Sequence, residues 1–490
     1  MRHSFLQCQG MKPDTAVDRV QLKASASGSA VRTGGRLTTF AHHVFRGYDI
    51  RGLAGSDIDT AFARRLGSCF ATILTDRQAP LVVGRDVRLS GPPLHRALIE
   101  GITQAGIDVL DIGMTATPLA YFATHYRQAA GCIMVTASHN PAAYNGFKLM
   151  NGKHSLHGDE IQQLRTAMNA ADRPATSASP GKVAHFDPLP VYLEQLRADL
   201  HLARPLKVVV DAGNGPSGRI APPLYRRLGC EVIELYCEPD GNFPNHHPDP
   251  TIAENLRDLA AAVHRHGADL GLAFDGDGDR LGVVDRNGAT VSGDLLLLLL
   301  ARRLLLEHPG ATVISEVKSS QLLFNDIRQH GGTPLISRTG HSPIKEAMAQ
   351  SGALLAGDLS GHFFFADRFF GFDDAAYAGG RLLELLAESP LPLDRLLEQL
   401  PATACTPEIR IDCADERKFE LVEAARRHFA AAGYRIVEID GIRLEFDDGW
   451  ALLRASNTQP ALVMRFEAGS RERLTELREM FEGWLHRHGI

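Results

Sequence analysis

The stretch LGLAFDGDGDR, residues 270–280, joins a short apolar run to a loop that carries three carboxylates on alternate residues. Continuous apolar runs of this length are typical of strands buried on both faces of a sheet. In an extended segment alternate residues project to the same side, so Asp275, Asp277 and Asp279 would face one point. Like charges repel at short range unless a cation lies among them, and oxygen ligands favour a hard dication such as Mg²⁺. The stretch therefore predicts a buried strand that ends in a metal-binding loop.

The pattern of a strand followed by a polar loop recurs along the chain. Apolar runs occupy residues 80–84, 131–135 and 206–210, and helical patterns such as 92–105 and 252–266 lie between them. Strands that alternate with helices indicate stacked α/β units with a largely parallel or mixed sheet. Catalytic groups in such sheets gather at the carboxyl ends of strands, and Ser138 falls just after one of them. A hydroxyl, a magnesium loop and the following Arg280 together indicate phosphoryl transfer.

Length and composition exclude several classes of protein. At 490 residues the chain exceeds the roughly 250–300 residues that one hydrophobic core serves, so three or four domains are expected. With 44% hydrophobic and 22% charged residues the chain is neither disordered nor fibrous. The formal net charge of −6 argues against a nucleic-acid partner. The most apolar run, residues 295–300, is far shorter than the roughly 20 residues of a membrane span, so it predicts a buried helix.

The cysteines and the N-terminus bear on where the protein works. Seven cysteines are scattered without a CxxC pair, which favours reduced thiols in the cytoplasm over a disulfide framework or a zinc site. Residues 1–39 are rich in Ser, Gly, Thr and Arg and lack the apolar block of a secretory signal. We therefore expect a flexible N-terminal extension on a cytoplasmic protein.

A series of separated motifs carries a family resemblance. They are FRGYDIRG (45–52), GRDVRLSG (84–91), TASHNP (136–141), NGFK (145–148), DGNFPNHHPDP (240–250), DGDGDR (275–280), RTGH (338–341), GDLSGH (357–362) and RASNTQP (454–460). In this order they resemble the phosphohexomutases, specifically the bacterial phosphomannomutase/phosphoglucomutase branch. The resemblance implies three similar mixed-sheet α/β domains and a smaller, distinct α+β C-terminal domain around a central cleft. The expected segments are the extension 1–39 and the domains 40–184, 185–289, 290–401 and 402–490.

The resemblance also implies a reaction. Similar enzymes interconvert hexose 1-phosphates and hexose 6-phosphates, here of mannose, glucose or both, and carry the serine that matches Ser138 as a phosphoserine. One of its phosphate oxygens would complete a cage with Asp275, Asp277 and Asp279 around one Mg²⁺ per subunit. A hexose 1,6-bisphosphate would be the intermediate and the activator. The expected partners are phosphosugars, with no membrane, no nucleic acid and no obligate protein partner evident.

Further residues match positions that surround the reacting phosphate in this family. Lys148, Arg51 and His139 are the remaining catalytic candidates, although His139 suits a structural or phosphate-contacting role better than that of a base. For Lys148 to act as a base its pKa must be lowered, and clustered cations nearby would have that effect. Arg280 is expected over the phosphate, because a guanidinium matches two phosphate oxygens at once.

Two other groups of residues are expected to bind the substrate. The first, a nest of donors for the non-reacting phosphate, comprises Arg454, Ala455, Ser456, Asn457 and Thr458. The second, a loop that reads the sugar, comprises Asp358, Leu359, Ser360, Gly361 and His362. Tyr48, Lys318 and His341 match family positions that line the same cleft. At residue 358 the family pattern GEMSGH has glutamate, so Asp358 would approach the ring hydroxyls one methylene short.

Other interpretations of these motifs remain open or fail on spacing. A phosphoglucosamine mutase and a magnesium-dependent sugar phosphatase are the alternatives, since both would use similar chemistry. The GxGxxG pattern at 213–218 suggests a nicotinamide-dependent dehydrogenase, but a tight turn with Pro216 at the first helical position is favoured. An EF-hand would need glycine and glutamate where Arg280 and Arg286 stand. The HHPDP tract, residues 246–250, is expected to be a loop without a catalytic role.

Overall fold

The computed structural model describes residues 40–170, 175–456 and 460–490, and the predicted N-terminal extension lies outside them. Within the described residues the strands form four sheets that follow one another along the chain. The first three sheets are mixed and are covered by helices, whereas the fourth is antiparallel. The predicted fold class, three mixed-sheet α/β domains followed by a distinct α+β domain, is therefore confirmed.

The first sheet is built from residues 50–185. Its strands are β1 (Ile50–Leu53), β2 (Leu81–Arg85), β3 (Val109–Met114), β4 (Gly131–Val135), β5 (Tyr144–Asn151), β6 (His154–Ser155) and β7 (Val183–His185). Its helices are α1 (Thr60–Ile73), α2 (Gly91–Gln104), α3 (Thr117–Arg127) and α4 (Asp159–Ala170), preceded by a 3₁₀ turn at His42–Val44. The strand order is β1-β5-β4-β2-β3-β7, with β6 paired to β5. Alternate residues of β2 pack toward helices on opposite faces, which explains its continuous apolar run.

The second sheet follows the order β12-β11-β10-β8-β9. Its strands are β8 (Lys207–Asp211), β9 (Glu231–Leu235), β10 (Leu270–Phe274), β11 (Leu281–Asp285) and β12 (Thr290–Val291). The helical segments of this region are α5 (Leu189–Asp199), a 3₁₀ turn at Pro216–Arg219, α6 (Ala221–Arg227), a second 3₁₀ turn at Ala253–Leu256 and α7 (Arg257–His266). Pro216 thus opens a short helical turn directly after β8, as expected of a tight strand-to-helix connection.

The third sheet follows the order β14-β13-β15-β16. Its strands are β13 (Thr312–Glu316), β14 (Thr333–Ser337), β15 (Leu355–Gly357) and β16 (Phe363–Phe365). Its helices are α8 (Gly293–Glu307), α9 (Gln321–Gln329), α10 (His341–Ser351), α11 (Ala375–Glu388) and α12 (Leu393–Glu398). Helix α8 contains the apolar run at 295–300, which lies in the largest hydrophobic core, so the predicted buried helix is confirmed. No helix among the described residues is long and apolar enough to span a membrane.

The fourth sheet is entirely antiparallel, with the order β17-β22-β21-β20-β19 and β18 paired to β22. Its strands are β17 (Ala404–Cys405), β18 (Ile409–Asp412), β19 (Arg435–Val437), β20 (Ile442–Phe446), β21 (Gly449–Ala455) and β22 (Ala461–Ala468). Helices α13 (Asp415–Ala431) and α14 (Arg471–Arg487) pack against one face and enclose a separate aromatic core.

The first three sheets share one plan, which positions the functional loops. In each, three parallel strands are followed by an antiparallel one: β3-β2-β4 then β5, β9-β8-β10 then β11, and β14-β13-β15 then β16. The hairpin into the antiparallel strand spans residues 136–143 in the first sheet, 275–280 in the second and 358–362 in the third. These hairpins contain the candidate serine, the carboxylates and the sugar-reading motif.

Candidate active site

The hairpin that carries Ser138 is held by a buried arginine beneath it. Ser138 has φ 50°, in the left-handed region that side-chain-bearing residues seldom adopt. Its N–H donates to Thr136 Oγ1 (2.9 Å), while Arg88 Nη2 donates to the carbonyl oxygens of Ser138 and Asn140 (both 2.6 Å). Arg88 is fully buried and its Nε pairs with Asp86 Oδ2 at 3.0 Å. The loop conformation is therefore fixed from inside the domain.

The carboxylate loop folds around its own first aspartate. Asp275 Oδ1 accepts the backbone N–H groups of Gly278 (2.9 Å), Asp279 (3.1 Å) and Arg280 (3.2 Å). Its other oxygen, Oδ2, accepts a hydrogen bond from Ser138 Oγ at 2.7 Å. This contact joins the hairpins of the first and second sheets and places the serine hydroxyl directly at the carboxylates.

A glycine permits the close approach of these two hairpins. A Cβ on Gly276 would lie 2.4 Å from the carbonyl oxygen of Ser138, well inside van der Waals contact. Because that oxygen belongs to the backbone, it has little freedom to move away. The alternation of aspartate and glycine in this loop therefore serves the approach of the two loops as well as the spacing of the charges.

The three carboxylates fit a metal ion. Asp275, Asp277 and Asp279 are fully buried, and one oxygen of each lies within 4.8 Å of the others. Among the described residues, Asp277 Oδ1 and Asp279 Oδ1 have no hydrogen-bond partner. Buried carboxylate oxygens are otherwise paired in folded proteins, so two unpaired ones beside a third carboxylate suit a hard dication.

Lys148 lies among these carboxylates rather than among cations. Its Nζ is 2.7 Å from Asp277 Oδ2 and also pairs with Asp279 Oδ2. Burial by itself lowers the pKa of Lys148, but Asp277 and Asp279 outweigh burial and raise that pKa well above its usual range. The expectation that neighbouring cations lower this pKa is therefore wrong, because the side chains closest to the ammonium group are acidic. Thr117, which no sequence motif indicated, donates to Asp277 Oδ2 at 2.6 Å.

His139 lies on the hairpin that carries Ser138, and Arg51, on β1, contacts the same hairpin. His139 Nδ1 is 3.2 Å from Ser138 Oγ, and burial, followed by Arg280 and Arg51, holds the pKa of His139 well below its usual range. Arg51 donates from Nη1 to Asn140 Oδ1 (2.7 Å). A neutral imidazole thus touches the serine hydroxyl, and an arginine braces the loop beside it.

The third hairpin turns its carboxylate inward. Asp358 Oδ2 is 2.7 Å from His362 Nδ1, and Asp358 Oδ1 accepts the backbone N–H of His362 at 3.0 Å. His362 Nε2 lies 3.6 Å from Asp279 Oδ1 and 3.3 Å from Arg280 Nε. Burial lowers the pKa of His362, but Asp358 and Asp279 raise it to about 10. His362 therefore links the sugar-reading loop to the carboxylate loop.

The residues between Asp358 and His362 form the turn of the sugar-reading loop. Leu359 and Ser360 are half-buried, and Gly361 has φ 93°. A Cβ on Gly361 would lie 2.4 Å from the carbonyl oxygen of Leu281, which follows the carboxylate loop. The positive φ and the close approach both require glycine at this position.

Glu316, which the sequence motifs did not indicate, lies behind the sugar-reading loop. It ends β13 and is fully buried; its Oε1 accepts the N–H of Leu359 (3.0 Å) and lies 3.3 Å from Lys318 Nζ. Its Oε2 has no hydrogen-bond partner among the described residues. Lys318 also pairs with Glu408 of the C-terminal domain at 2.5 Å. An acidic residue at the carboxyl end of a buried strand was the signal that could have identified Glu316.

Tyr48 and His341 meet where the first sheet's N-terminal loop reaches helix α10. Tyr48 Oη donates to the carbonyl of Thr339 at 2.5 Å, and its ring fills the space that a Cβ on Gly340 would need. His341 Nδ1 is 3.5 Å from Asp373 Oδ2, and its Nε2 has no hydrogen-bond partner in the part of the chain that the structure describes. Burial, and then Lys345, lowers the pKa of His341.

The predicted phosphate nest lies on the fourth sheet. Arg454, on β21, donates from Nε to Asp440 Oδ2 at 3.0 Å, and the same oxygen accepts the N–H of Thr339 at 3.1 Å. Arg454 Nη2 is buried without a hydrogen-bond partner among the described residues. Ala455 and Ser456 are buried beside it, whereas Asn457 and Thr458 lie outside the described residues. An unsatisfied guanidinium edge of this kind suits an anion.

Fold and site together define an enzyme of phosphoryl transfer, built from four domains that face one group of hydroxyl, carboxylate and cationic side chains. Sequence models of the phosphoglucomutase/phosphomannomutase family match in order: alpha/beta/alpha domain I over residues 42–175, domain II over 190–288, domain III over 292–404 and the C-terminal domain over 408–483. The chain belongs to the phosphoglucomutase/phosphomannomutase family.

Individual relatives support this assignment over nearly the whole chain. A phosphomannomutase/phosphoglucomutase of Pseudomonas aeruginosa is 45% identical over 92% of this chain and 97% of its own length. A phosphoglucomutase of Neisseria gonorrhoeae is 44% identical over 91% of this chain and 97% of its own. The crystal structure of a phosphoglucomutase/phosphomannomutase family protein from Burkholderia thailandensis superposes with a TM-score of 0.85 at 43% identity, covering 90% of this chain and 97% of that one.

Proposed function

We propose that this enzyme interconverts the 1-phosphates and 6-phosphates of mannose and glucose, with Ser138 carried as a phosphoserine. The observation that carries the proposal is the buried hydroxyl of Ser138, which lies 2.7 Å from the innermost of three buried carboxylates. A relative named for both activities, at 45% identity, supports the choice of both sugars. The reaction forms a bisphosphorylated sugar midway: the bond from phosphorus to Ser138 Oγ breaks as a bond to the free sugar hydroxyl forms, and the proton of that hydroxyl passes to Ser138 Oγ. Transfer of the other phosphate back to Ser138 Oγ, which gives up its proton to the sugar oxygen, then releases the isomer and restores the phosphoserine.

The residues of the carboxylate loop would hold one Mg²⁺ together with a phosphate oxygen on Ser138. When bound, the ion would spread the charge that develops on the transferring phosphoryl group. Asp277 Oδ1 and Asp279 Oδ1, which accept no hydrogen bond from the described residues, would serve as ligands, while Asp275 positions the loop through three backbone N–H groups. An oxygen-only ligand set supports magnesium over a softer metal.

Lys148 is proposed to act as a positive charge and hydrogen-bond donor rather than as a base. Two carboxylates keep its ammonium form stable, so it approaches the reacting oxygens in the protonated state. Arg280, whose Nε lies 4.0 Å from Asp275 Oδ2, adds a further positive charge at the same place. These groups would lower the energy of a transition state in which negative charge accumulates on phosphate oxygens.

Arg454 is proposed to bind the non-reacting phosphate of the substrate. Its Nη2 has no partner among the described residues, and Asp440 holds the guanidinium through Nε. The proposed domains, 40–184, 185–289, 290–401 and 402–490, would then each contribute one loop: the phosphoserine, the metal ligands, the sugar-reading residues and the phosphate nest. Five free cysteines in the described residues support a reducing, cytoplasmic setting: Cys69, Cys132, Cys230, Cys237 and Cys413.

A coupled assay tests the proposal. Mannose 1-phosphate and glucose 1-phosphate are supplied separately with Mg²⁺ and a trace of hexose 1,6-bisphosphate, and the corresponding 6-phosphates are measured. We expect both products to form without release of inorganic phosphate. Release of phosphate without a 6-phosphate would identify a phosphatase. Glucosamine 1-phosphate is supplied as a third substrate, and turnover of it alone would identify a phosphoglucosamine mutase. Either outcome would overturn the proposal.

A further inference from the structure

A cluster outside the cleft combines two imidazoles and a carboxylate at short spacing. His154 begins β6, the short strand paired to β5, His157 follows in the next loop, and Glu160 lies in the first turn of α4. One ligand atom of each lies within 4.8 Å of the others. His154 Nε2 is 2.8 Å from Glu160 Oε2, and His157 Nδ1 is 3.6 Å from the same oxygen. We propose that His154, His157 and Glu160 form a zinc-binding site.

The hydrogen bonding of His157 supports a metal ion at its inner nitrogen. His157 Nε2 lies 3.0 Å from Glu346 Oε2, which keeps the ring proton on Nε2 and leaves a lone pair on Nδ1. Within the described residues that Nδ1 is buried and has no hydrogen-bond partner, although it faces the Glu160 carboxylate. A lone pair that faces a carboxylate is unfavourable unless a proton or a metal ion lies between them. A histidine that binds zinc through one ring nitrogen usually donates its other ring N–H to a carboxylate or a similar acceptor.

The spacing of the ligand atoms fits zinc in particular. Bonds of about 2.0–2.1 Å directed to the corners of a tetrahedron hold two ligand atoms about 3.3 Å apart. The separations of 2.8 Å and 3.6 Å from Glu160 Oε2 bracket that distance, and the three ligand atoms all lie within 4.8 Å of one another. Imidazole donors favour zinc over magnesium or calcium. The side chains of His154 and Glu160 are 44% and 43% exposed, which leaves an entry path and room for water as the fourth ligand.

The location of the site gives it a structural consequence. Glu346 belongs to α10 of the third sheet, the helix that begins with His341 in the cleft. On the other side, the N–H of Gly158 donates to the carbonyl of Gly47 at 2.8 Å, next to Tyr48. Zinc bound to His157 Nδ1 would increase the partial positive charge on the Nε2–H group of the same ring. The hydrogen bond from Nε2 to Glu346 would therefore become stronger. The ion would thus tighten the contact between the first and third sheets behind the cleft.

Zinc titration of the intact, magnesium-saturated protein tests this site. Calorimetry with ZnCl₂ should detect one site per chain beyond magnesium, and X-ray absorption of the loaded protein should show two imidazole nitrogens. His154→Ala and His157→Ala should each weaken binding at least tenfold, and Glu346→Gln by roughly 10–100-fold. His266→Ala, an exposed histidine of α7, is the matched control and should bind zinc like the parent.

Two further measurements distinguish zinc binding at this site from zinc binding at the carboxylate loop, and a loss of zinc binding from a loss of folded structure. Asp277→Asn alters the proposed magnesium site and should leave the histidine-ligated zinc in place. His154→Ala should keep the parent's mutase activity in magnesium and its melting temperature without zinc, because the side chain is partly exposed and remote from the cleft. Undiminished zinc binding in His157→Ala, or a zinc spectrum with oxygen ligands alone, would overturn the proposal.

Discussion

Ser138 has a strained backbone conformation and is almost completely buried. A left-handed φ of 50° and hydrogen bonds from Arg88 and to Thr136 aim its hydroxyl at Asp275. Strained conformations that are held by many contacts occur often at functional sites, where they orient a side chain in advance. The phosphoserine assignment can therefore be tested without disturbing the fold.

Ser138→Ala should abolish mutase activity while the protein still folds, because backbone atoms of residue 138 make the contacts to Arg88 and Thr136 that fix the loop. Intact-mass measurement and peptide mapping of the active parent should locate one phosphate on Ser138 and none on the variant. Thermal unfolding should show a loss of no more than about 1–3 kcal/mol, the cost of the hydrogen bond from Ser138 Oγ to the buried Asp275. Stoichiometric phosphate on another residue of the active enzyme would show that the assignment is wrong.

Gly276→Ala should separate the serine and carboxylate hairpins. The new Cβ would lie 2.4 Å from the Ser138 carbonyl, so the two loops must move apart. We expect a loss of at least tenfold in kcat and a loss of about 1–3 kcal/mol in unfolding free energy, as in other overpacked sites. Gly469→Ala is the control, since its nearest neighbour would lie 3.8 Å away. Equal activity in the two variants would contradict a role for the close approach.

At the scale of elements, the sequence predicted strands better than it predicted contacts. Residues 131–135 and 270–274 form strands with the predicted bounds, and the other two predicted strands are shifted by one residue. The bounds of these strands can be predicted from local sequence, because each strand contains a continuous apolar run. The helix predicted at 252–266 instead begins as a 3₁₀ turn, which the 3.6-residue period does not distinguish.

Contacts between elements were less accessible from sequence. The carboxylate loop and the serine were identified because each follows a buried strand, but their 2.7 Å contact joins residues 137 positions apart. The acidic surroundings of Lys148 and the place of Glu316 depend on how separate sheets pack. Neither follows from local periodicity, and so the predicted lowering of the Lys148 pKa was wrong.

Helix α11 offers a test of pH-dependent stability at its N-terminus. Asp374 caps this helix through the N–H of Tyr377 (2.9 Å) and accepts the hydroxyl of Tyr192 on α5 (2.8 Å). Burial raises the pKa of Asp374 from 3.8 to about 7, more than these hydrogen bonds lower it. The folded state thus holds a proton that the unfolded state has released, and stability should fall as pH rises from about 4 to 7.

Asp374→Asn should flatten that dependence. Asparagine keeps the cap and the acceptor for Tyr192 but does not titrate. Since one pKa unit corresponds to about 1.4 kcal/mol, the variant should gain stability relative to the parent at pH 7 and lose that advantage near pH 4. Urea unfolding at several pH values measures the difference. A parent and variant that differ by the same amount at every pH would exclude Asp374 as the titrating group.

At the scale of the whole molecule, contacts between domains link the phosphate nest to the reacting end of the cleft. Asp440 binds both Arg454 and the N–H of Thr339, and the carbonyl of Thr339 accepts Tyr48 Oη. Residues from the first, third and fourth sheets thus form one chain of contacts. A mutase needs such a frame, because the two phosphates of its intermediate must be held at a fixed separation.

Arg454→Ala should weaken the binding of a hexose phosphate much more than that of the free hexose. Loss of a charge-assisted contact should cost on the order of 1.5–3 kcal/mol for the phosphosugar. Calorimetry with glucose 1-phosphate and with glucose, on parent and variant, gives the comparison. Arg410→Ala, a half-exposed position of the same domain, is the control. Equal losses for the two ligands would place Arg454 outside the phosphate nest.

The shared strand order of the first three sheets also bears on ancestry. Three parallel strands followed by an antiparallel fourth, three times in succession, is the arrangement that tandem duplication of one gene segment would produce. The hairpin before that fourth strand differs between the three sheets, with a serine turn, a carboxylate turn and a histidine turn at the same topological position. On that account the proposed chemical tasks of the site would be divergent solutions at one inherited position, and the scaffold could be retained while each copy specialised.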